Sequence, residues 1–361
     1  MPVHPASGKP HPPFNNMHLT LPLVSLLPTF VPAGFADVGH SVVRDASSGE
    51  NLVIVDSVQS LANHLEATLV QEPGKLITGL EALPYVQLTI TDAAGRTRIS
   101  SSLELPHRLA SGWFCKAKDF ADFQAELSKD ILDHGIAAAT FRRCPNSLLH
   151  GVFYSQLAGL DPNVAKSPRL LSAEVVAKGA QSITDGGVAK DPLAVKGDFD
   201  WEAVFAPPEK DSAKAGESKV SALGVGYIVH RHQAFIAREI ELSVYLAEGR
   251  IRRLPLPEPA RAVLRLLARI KLALLLAEPL DLRAHCIFQV KDGEIPPELE
   301  KPDALLNQLQ QQLQECQRLG LLQDPPITKF ELTLGAAKIK PGKGKSKAAV
   351  AAEDDSEGAD A

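Results

Sequence analysis

Residues 51–70, NLVIVDSVQSLANHLEATLV, contain the change of period that sets the fold class. Residues 51–55 form a short apolar run suited to a strand. From Ser57 onward the apolar positions are Val58, Leu61, Ala62, Leu65 and Leu69, the spacing of one helix face. Asp56 or Ser57 is placed to cap the first turn, because its side-chain oxygen can accept an orphan backbone N–H. Gln59, Asn63 and Glu66 fall on the polar side of that helix.

Outward from this unit, strands and helices alternate. Residues 19–27, LTLPLVSLL, predict a first strand, and residues 30–39, FVPAGFADVG, a Gly/Pro turn region. Residues 84–91 alternate as a strand, with DAAGRT as the following turn. Residues 119–134 predict a helix with Phe120, Phe123, Leu127 and Ile131 inside and Gly135 as its stop. Further helices are expected over 146–157 and 172–178. Over 233–246, Ile240, Leu242, Val244 and Leu246 alternate with Glu239, Glu241, Ser243 and Tyr245, which predicts a half-buried strand. A long helix over 259–278 and a helix over 303–318 stopping at Gly320 are flanked by strands at 282–290 and 328–334. This order predicts an α+β sheet with helices on one face, and a ferredoxin-like or RRM-like core fits it. Residues 1–17 are expected to be flexible and 335–361, with lysines first and then acids, disordered. Residues 182–220 are polar and predict a long loop or protruding hairpin.

The chain has 361 residues, enough for one large domain or two ordinary ones, and its 45% hydrophobic share supports a sizeable core. Cys115, Cys144, Cys286 and Cys316 lie far apart, which argues against a disulfide framework or zinc knuckle and for a reducing cytosol. The first residues carry no apolar run behind a positive start, so a signal peptide is not expected. The most apolar helix, 262–277, contains Arg265, Arg269 and Lys271, so a membrane span is not expected either. The net charge of −5 argues against a generally basic nucleic-acid coat. The charge is uneven, however: residues 219–271 carry ten Lys and Arg against four Glu. A local positive track of this kind suits phosphate.

The sequence offers little for catalysis. PGKGKSK, residues 341–347, lacks the first glycine of a P-loop, because Ile339 occupies that place. There is no GxSxG elbow and no catalytic-type cysteine context. His230 and His232, two residues apart on one strand face, lack a third ligand with supporting spacing. No metal site and no cofactor are expected. His107 and Arg108, after the serine run 100–102, supply several donors suited to phosphate oxygens, with Ser101 and Ser102 beside them. His230 and Arg231 supply a second such group within the basic third, which Lys219 opens. Gln59 and Asn63 share one polar helix face that could position RNA or face solvent.

DSVQSLANHLE at 56–66 is followed by LPYV at 83–86, SSLELPHRLAS at 101–111, NSLLHGVF at 146–153, SPRLLSAEVVAKGAQ at 167–181 and DGGVAKD at 185–191. In this order they resemble the RAMP-superfamily backbone subunit of type I-G (formerly I-U) CRISPR effector complexes, a form of the seventh core Cas family. PHRLAS is similar to the family's AHRLxS, and GYIVHR at 226–231 matches its GNVPxHR at the glycine, histidine and arginine. His64 stands where the family commonly has arginine.

The resemblance implies a non-catalytic, cytoplasmic protein of antiviral defence that coats crRNA in many copies and supports pairing with target DNA. It implies an RRM-like palm (18–70 and 221–334), an inserted finger or web region (71–181) and a thumb (182–220) anchored by Phe199, Trp201 and Phe205. Candidate RNA contacts are Gln59, Asn63, His64, Ser101, Ser102, His107, Arg108, Lys219, His230 and Arg231. Implied partners are further copies in a helical filament, a large subunit, a fused Cas five/six-type subunit and a recruited helicase-nuclease, without a membrane. Some related subunits of type III complexes cut target RNA with a loop aspartate, for which Asp37 would be the analogue; the type I-G likeness implies no cleavage. The alternative is a guide-RNA-processing ribonuclease of the same superfamily, with His107 or His230 as acid/base. A third reading is a soluble α+β scaffold without nucleic acid.

Overall fold

The computed structural model describes residues 18–35, 39–155, 157, 165–189 and 228–334. The first strands are β1 (His18–Ser25), β2 (Val42–Arg44) and β3 (Asn51–Asp56), followed by α1 (Val58–Ala67). A hairpin, β4 (Tyr85–Thr91) and β5 (Thr97–Ser101), precedes three helices, α2 (Phe120–His134), α3 (Ile136–Arg143) and α4 (Pro145–His150). Four strands follow: β6 (Leu171–Lys178), β7 (Gln181–Ala189), β8 (Ile228–Ile236) and β9 (Glu239–Leu246). The chain continues through α5 (Glu248–Arg253), α6 (Glu258–Leu276), β10 (Leu280–Arg283), β11 (Cys286–Val290), α7 (Pro302–Arg318) and β12 (Ile327–Thr333).

Seven strands form the main sheet in the order β10-β11-β1-β9-β6-β3-β2, with every neighbouring pair antiparallel. Its register follows from alternation. Leu21 faces Leu242, which faces Val175, and all three are fully buried. Leu19, Val244 and Ala173 make a parallel row beside them. Each such Leu or Val contributes roughly 1.5–3 kcal/mol by leaving water, and a one-residue slip would turn the whole set outward. The alternate residues Thr20 and Tyr245 are exposed, and Glu241 is half-buried. α1 and α4 pack on β6 and on α6, and α7 packs along α6. The result is an α+β layer with helices on one face.

A second sheet, β12-β4-β5, encloses a separate core. β12 runs parallel to β4 and does not join the main sheet beside β11. Phe330 explains this: its ring meets Phe114, Phe120 and Phe123 at centroid distances of 5.9, 6.0 and 5.4 Å. The C-terminal strand is thus held by aromatic residues of the 114–123 segment.

Most expected elements are present, and Ser57 rather than Asp56 caps α1, accepting from the Ser60 backbone N–H at 3.3 Å. Four expectations need correction. Residues 172–178 are a strand, not a helix. Leu171, Ala173, Val175 and Ala177 are buried in alternation, and pairing with β9 and β3 on both sides overrides the helical preference of Ala, Glu and Lys. The helix expected over 146–157 ends at His150, where Gly151 turns with φ 84° and its Cα approaches Arg169 too closely for a side chain. The strand expected over 233–246 is two strands, broken at Ala237 and Arg238. The strand expected over 282–290 is the hairpin β10–β11, which turns through His285 at φ 57°.

The polar 182–220 segment begins as β7, which pairs with β8 over nine residues from Gln181 opposite Ile236 to Ala189 opposite Ile228. Phe235, at the base of this hairpin, bridges to Phe30 through two backbone hydrogen bonds of 2.8 and 3.0 Å. Phe199, Trp201, Phe205 and Lys219 lie outside the described residues, as do residues 1–17 and 335–361.

Candidate nucleic-acid interface

The phrases singled out in the sequence meet in one buried polar network. Glu66, expected on the polar side of α1, is only 2% exposed. Arg108 Nε and Nη2 donate to its two carboxylate oxygens at 2.7 and 2.6 Å. Asn146 Nδ2 donates to the same carboxylate at 2.6 Å. Lys271, fully buried on α6, donates to Asn146 Oδ1, and its Nζ lies 2.8 Å from His150 Nε2. Ser102 exchanges backbone and hydroxyl hydrogen bonds with Val86 of LPYV. The Leu109 N–H donates to Ser147 Oγ at 3.2 Å, and Arg169 Nη1 donates to Val58 O at 2.7 Å. DSVQSLANHLE, LPYV, SSLELPHRLAS, NSLLHGVF and SPRLLSAE are therefore joined side chain to backbone.

The electrostatics of this network are unbalanced. One carboxylate, Glu66, answers Arg108 and Lys271, with Arg169 half-buried beside them. Burial, the largest cause, lowers the Lys271 amine from its ordinary value to about 7, and Arg108 pushes the same way against Glu66. Burial and then the charges of Lys271, Arg108 and Arg169 hold His150 well below the usual imidazole range. His150 Nδ1 is buried with no hydrogen-bond partner in the structure. Such perturbed groups mark either a reactive site or a structural ion cluster. Here Glu66, Arg108, Asn146, His150 and Lys271 are all buried, and Arg169 is half-buried at their edge.

The expected RNA contacts accordingly divide. Gln59, Asn63 and His107 are exposed, and His64 is half-buried on the same side of α1. Arg108 is 7% exposed, in a left-handed conformation at φ 53°, and its guanidinium is engaged by Glu66. Ser101 and Ser102 are also buried, and Ser101 Oγ donates to Glu104 at 2.7 Å. These three hold the turn that presents His107. The backbone of His230 and Arg231 pairs with Gly187 and Gly186 near the far end of the β7–β8 ladder, while their side chains, like Lys219, lie outside the described ones.

The basic third is less available than its composition suggests. Arg238 pairs with Glu50 and Glu239, Arg265 with Glu248 and Glu258, and Arg261 with Glu258. Lys271 is buried and Arg269 half-buried, while Arg250, Arg252 and Arg253 of α5 are exposed, Arg250 donating to Arg169 O at 2.9 Å. Among the described residues no group of three His, Cys, Asp or Glu could hold a metal ion, and no helix is long and apolar enough to cross a membrane. Asp37 and residues 341–347 lie outside the described residues.

Sequence reasoning missed two exposed aromatics, Trp113 (48%) and Phe153 (45%), and the buried partners Glu66, Asn146, His150 and Lys271. Lys271 left a readable signal: it is a lone cation on the apolar face of α6, where solvation is denied. Trp113 left a weaker one, a tryptophan between a glycine and a lysine-containing run, SGWFCKAK.

Comparison with known proteins gives two findings. Residues 27–182 match the family model of CRISPR-associated protein GSU0053 (Cas_GSU0053), a span that includes all the joined phrases. A chain of a solved structure titled "CRISPR RNA-guided surveillance complex, pre-nicking" aligns over 83% of this chain and 88% of its own, with a TM-score of 0.35 and 10% identity. No curated protein matches.

Proposed function

We propose that this chain is a non-catalytic backbone subunit that coats crRNA in a type I-G Cascade-like interference complex. The observation that carries the proposal is the similarity of residues 27–182 to a CRISPR-associated family. The strand order β11-β1-β9-β6, with α1 between β1 and β6 and α6 between β9 and β11, supports an RRM-like palm. In that reading the 71–181 region is the finger, giving β6 to the palm sheet and sharing its second sheet with β12, and the β7–β8 hairpin begins the thumb. The guide is gripped through its backbone, because a coat must accept any spacer sequence, and base pairing reads the target DNA. The partners are crRNA, target DNA, further copies of the chain in a filament, a large subunit, a fused Cas five/six-type subunit and a recruited helicase-nuclease. The site of action is the cytoplasm.

The test is expression of the full chain with its CRISPR array and operon partners. RNA of defined length should co-purify in a particle much larger than one subunit. Protein that carries no RNA and stays monomeric sinks the proposal. Arg231→Ala should weaken RNA binding across all sequences and lower the salt slope by about 0.7, the loss of one single-strand phosphate contact. The ribonuclease reading keeps one supporting observation, the exposed His107. Incubation of repeat RNA without metal separates the two: a single defined cut supports the ribonuclease, and intact RNA the coat.

A further inference from the structure

Three described aromatic side chains are strongly exposed, Trp113, Phe153 and Tyr245. Two of them belong to adjoining segments. Trp113 lies on a succession of tight turns, in which Ser111 N–H bonds Arg108 O, Phe114 N–H bonds Ser111 O and Lys116 N–H bonds Trp113 O. Phe153 lies on a two-residue strand that packs against the 108–110 turn and pairs with Lys166 and Ser167. Leu109, Ala110 and Cys115 on one side and Tyr154 and Leu157 on the other line one small apolar cavity, so the two segments share a wall.

The support beneath them is rigid. Arg108 is held in its left-handed turn by two bonds to Glu66, and the next residue, Leu109, is tied to Ser147. Trp113 is 48% exposed and Phe153, on the adjoining segment, 45%, and paired exposed rings rimmed by polar side chains mark an interaction surface. The charge says which partner. Between Glu104 and Asp119 the exposed ionic side chains are Lys116 and Lys118, Arg108 being buried against Glu66, and the Lys166 ammonium lies 5.0 Å from the centre of the Phe153 ring. Lys116, Lys118 and Lys166 are all exposed. Exposed rings flanked by lysines suit the bases and phosphates of a single strand.

We infer that Trp113 and Phe153, flanked by Lys116, Lys118 and Lys166, form a stacking surface for single-stranded RNA. This rests on the RNA-coat reading and adds to it the residues that take the bases. Stacking on a ring tolerates any base, as a spacer-blind contact requires. The phosphates then meet the lysines, and the surface needs no hydrogen-bond readout.

The test measures binding of a labelled, mixed-sequence single-stranded RNA to the full chain by fluorescence anisotropy across salt concentrations. Trp113→Ala and Phe153→Ala should each lower affinity about 5- to 150-fold with the salt slope unchanged, because a stacked base contributes about 1–3 kcal/mol. Trp113→Phe should retain most of the affinity. Lys116→Ala and Lys118→Ala should each lower the salt slope by about 0.7. Because both rings are exposed, the urea midpoint of each alanine variant should match the wild type. Wild-type binding with Trp113→Ala and Phe153→Ala unaffected rejects the stacking surface and leaves the coat reading standing. No binding by the wild type removes both. Unchanged RNA affinity with lost self-association makes the patch a protein-docking surface and overturns the inference.

Discussion

Glu66→Ala is expected to cost about 3–5 kcal/mol of folding stability, read as a large fall in the urea midpoint. A domain holds only about 5–15 kcal/mol in total, so much of the population should unfold under mild conditions. The carboxylate accepts two bonds from Arg108 and one from Asn146, and all three groups are buried. Its removal leaves a guanidinium and a lysine enclosed with no counter-charge. It also frees Arg108 from the contacts that keep a non-glycine residue at φ 53°, a conformation costing on the order of 1–3 kcal/mol. Arg108→Gly removes the charge and suits that backbone, so it should destabilise less than Glu66→Ala. The double variant Glu66→Ala/Arg108→Gly should be more stable than the two single losses summed, the coupling expected of groups in direct contact. A Glu66→Ala cost below about 1 kcal/mol, within the range of a surface ion pair, would show that the network is not structural. If Arg108 were a phosphate ligand, Arg108→Gly would instead lower the salt slope of RNA binding at nearly unchanged stability.

The same network explains how much could be read from the sequence. Period and capping placed α1, α2, α6, α7 and most strands, because those signals are local and depend on burial of one face. Residues 172–178 were misread because their composition favours a helix, while what makes them a strand is hydrogen bonding to β9 and β3, residues 239–246 and 51–56 in the chain. The partner of β12 was not readable for a similar reason: β4 is more than 200 residues upstream, and nothing local in ITKFELT names it. At the candidate interface, period placed Gln59 and Asn63 on the polar side of α1, where they are exposed, and Glu66 with them, which is buried. The partner of Arg108 was not readable, because an arginine beside an exposed histidine has the same letters whether it meets a phosphate or a glutamate 42 residues away. Five of the phrases touch one another through the buried network around Glu66. Gln59, Asn63, His107, Trp113 and Phe153 project from the joined core.

Stability should rise with pH from about 7 to about 9, and Lys271→Met should flatten that rise. Lys271 titrates near 7 in the folded protein and near 10.5 when unfolded. Between those values the unfolded chain binds the extra proton, so each step up in pH favours the folded state, by at most about 1.4 kcal/mol per unit. His150 extends the trend downward. Its folded value lies well below 6.5, so acidification beneath 6.5 protonates the unfolded imidazole first and stability falls further. Burial fixes this direction: Glu66 and, less, the Cys144 thiol favour the charged amine, while Arg108 and, around His150, Arg169 oppose a further positive charge. Above about 9 the sign reverses. The thiols of Cys286 and Cys316 are raised by burial to about 11 from 9.0, so the unfolded chain loses those protons first and stability declines. The measurement is the urea-unfolding free energy of wild type and Lys271→Met from pH 5.5 to pH 10. Methionine matches the lysine stem in length and needs neither a proton nor a charge partner, and replacing a buried charge with an apolar side chain of similar volume is often neutral or stabilising. The variant should therefore be at least as stable as wild type near pH 7, despite the loss of the bond to Asn146, and the two curves should converge toward pH 10. Parallel curves across the range would mean that Lys271 stays fully charged in the folded protein, stabilised by Glu66 strongly enough to outweigh its burial.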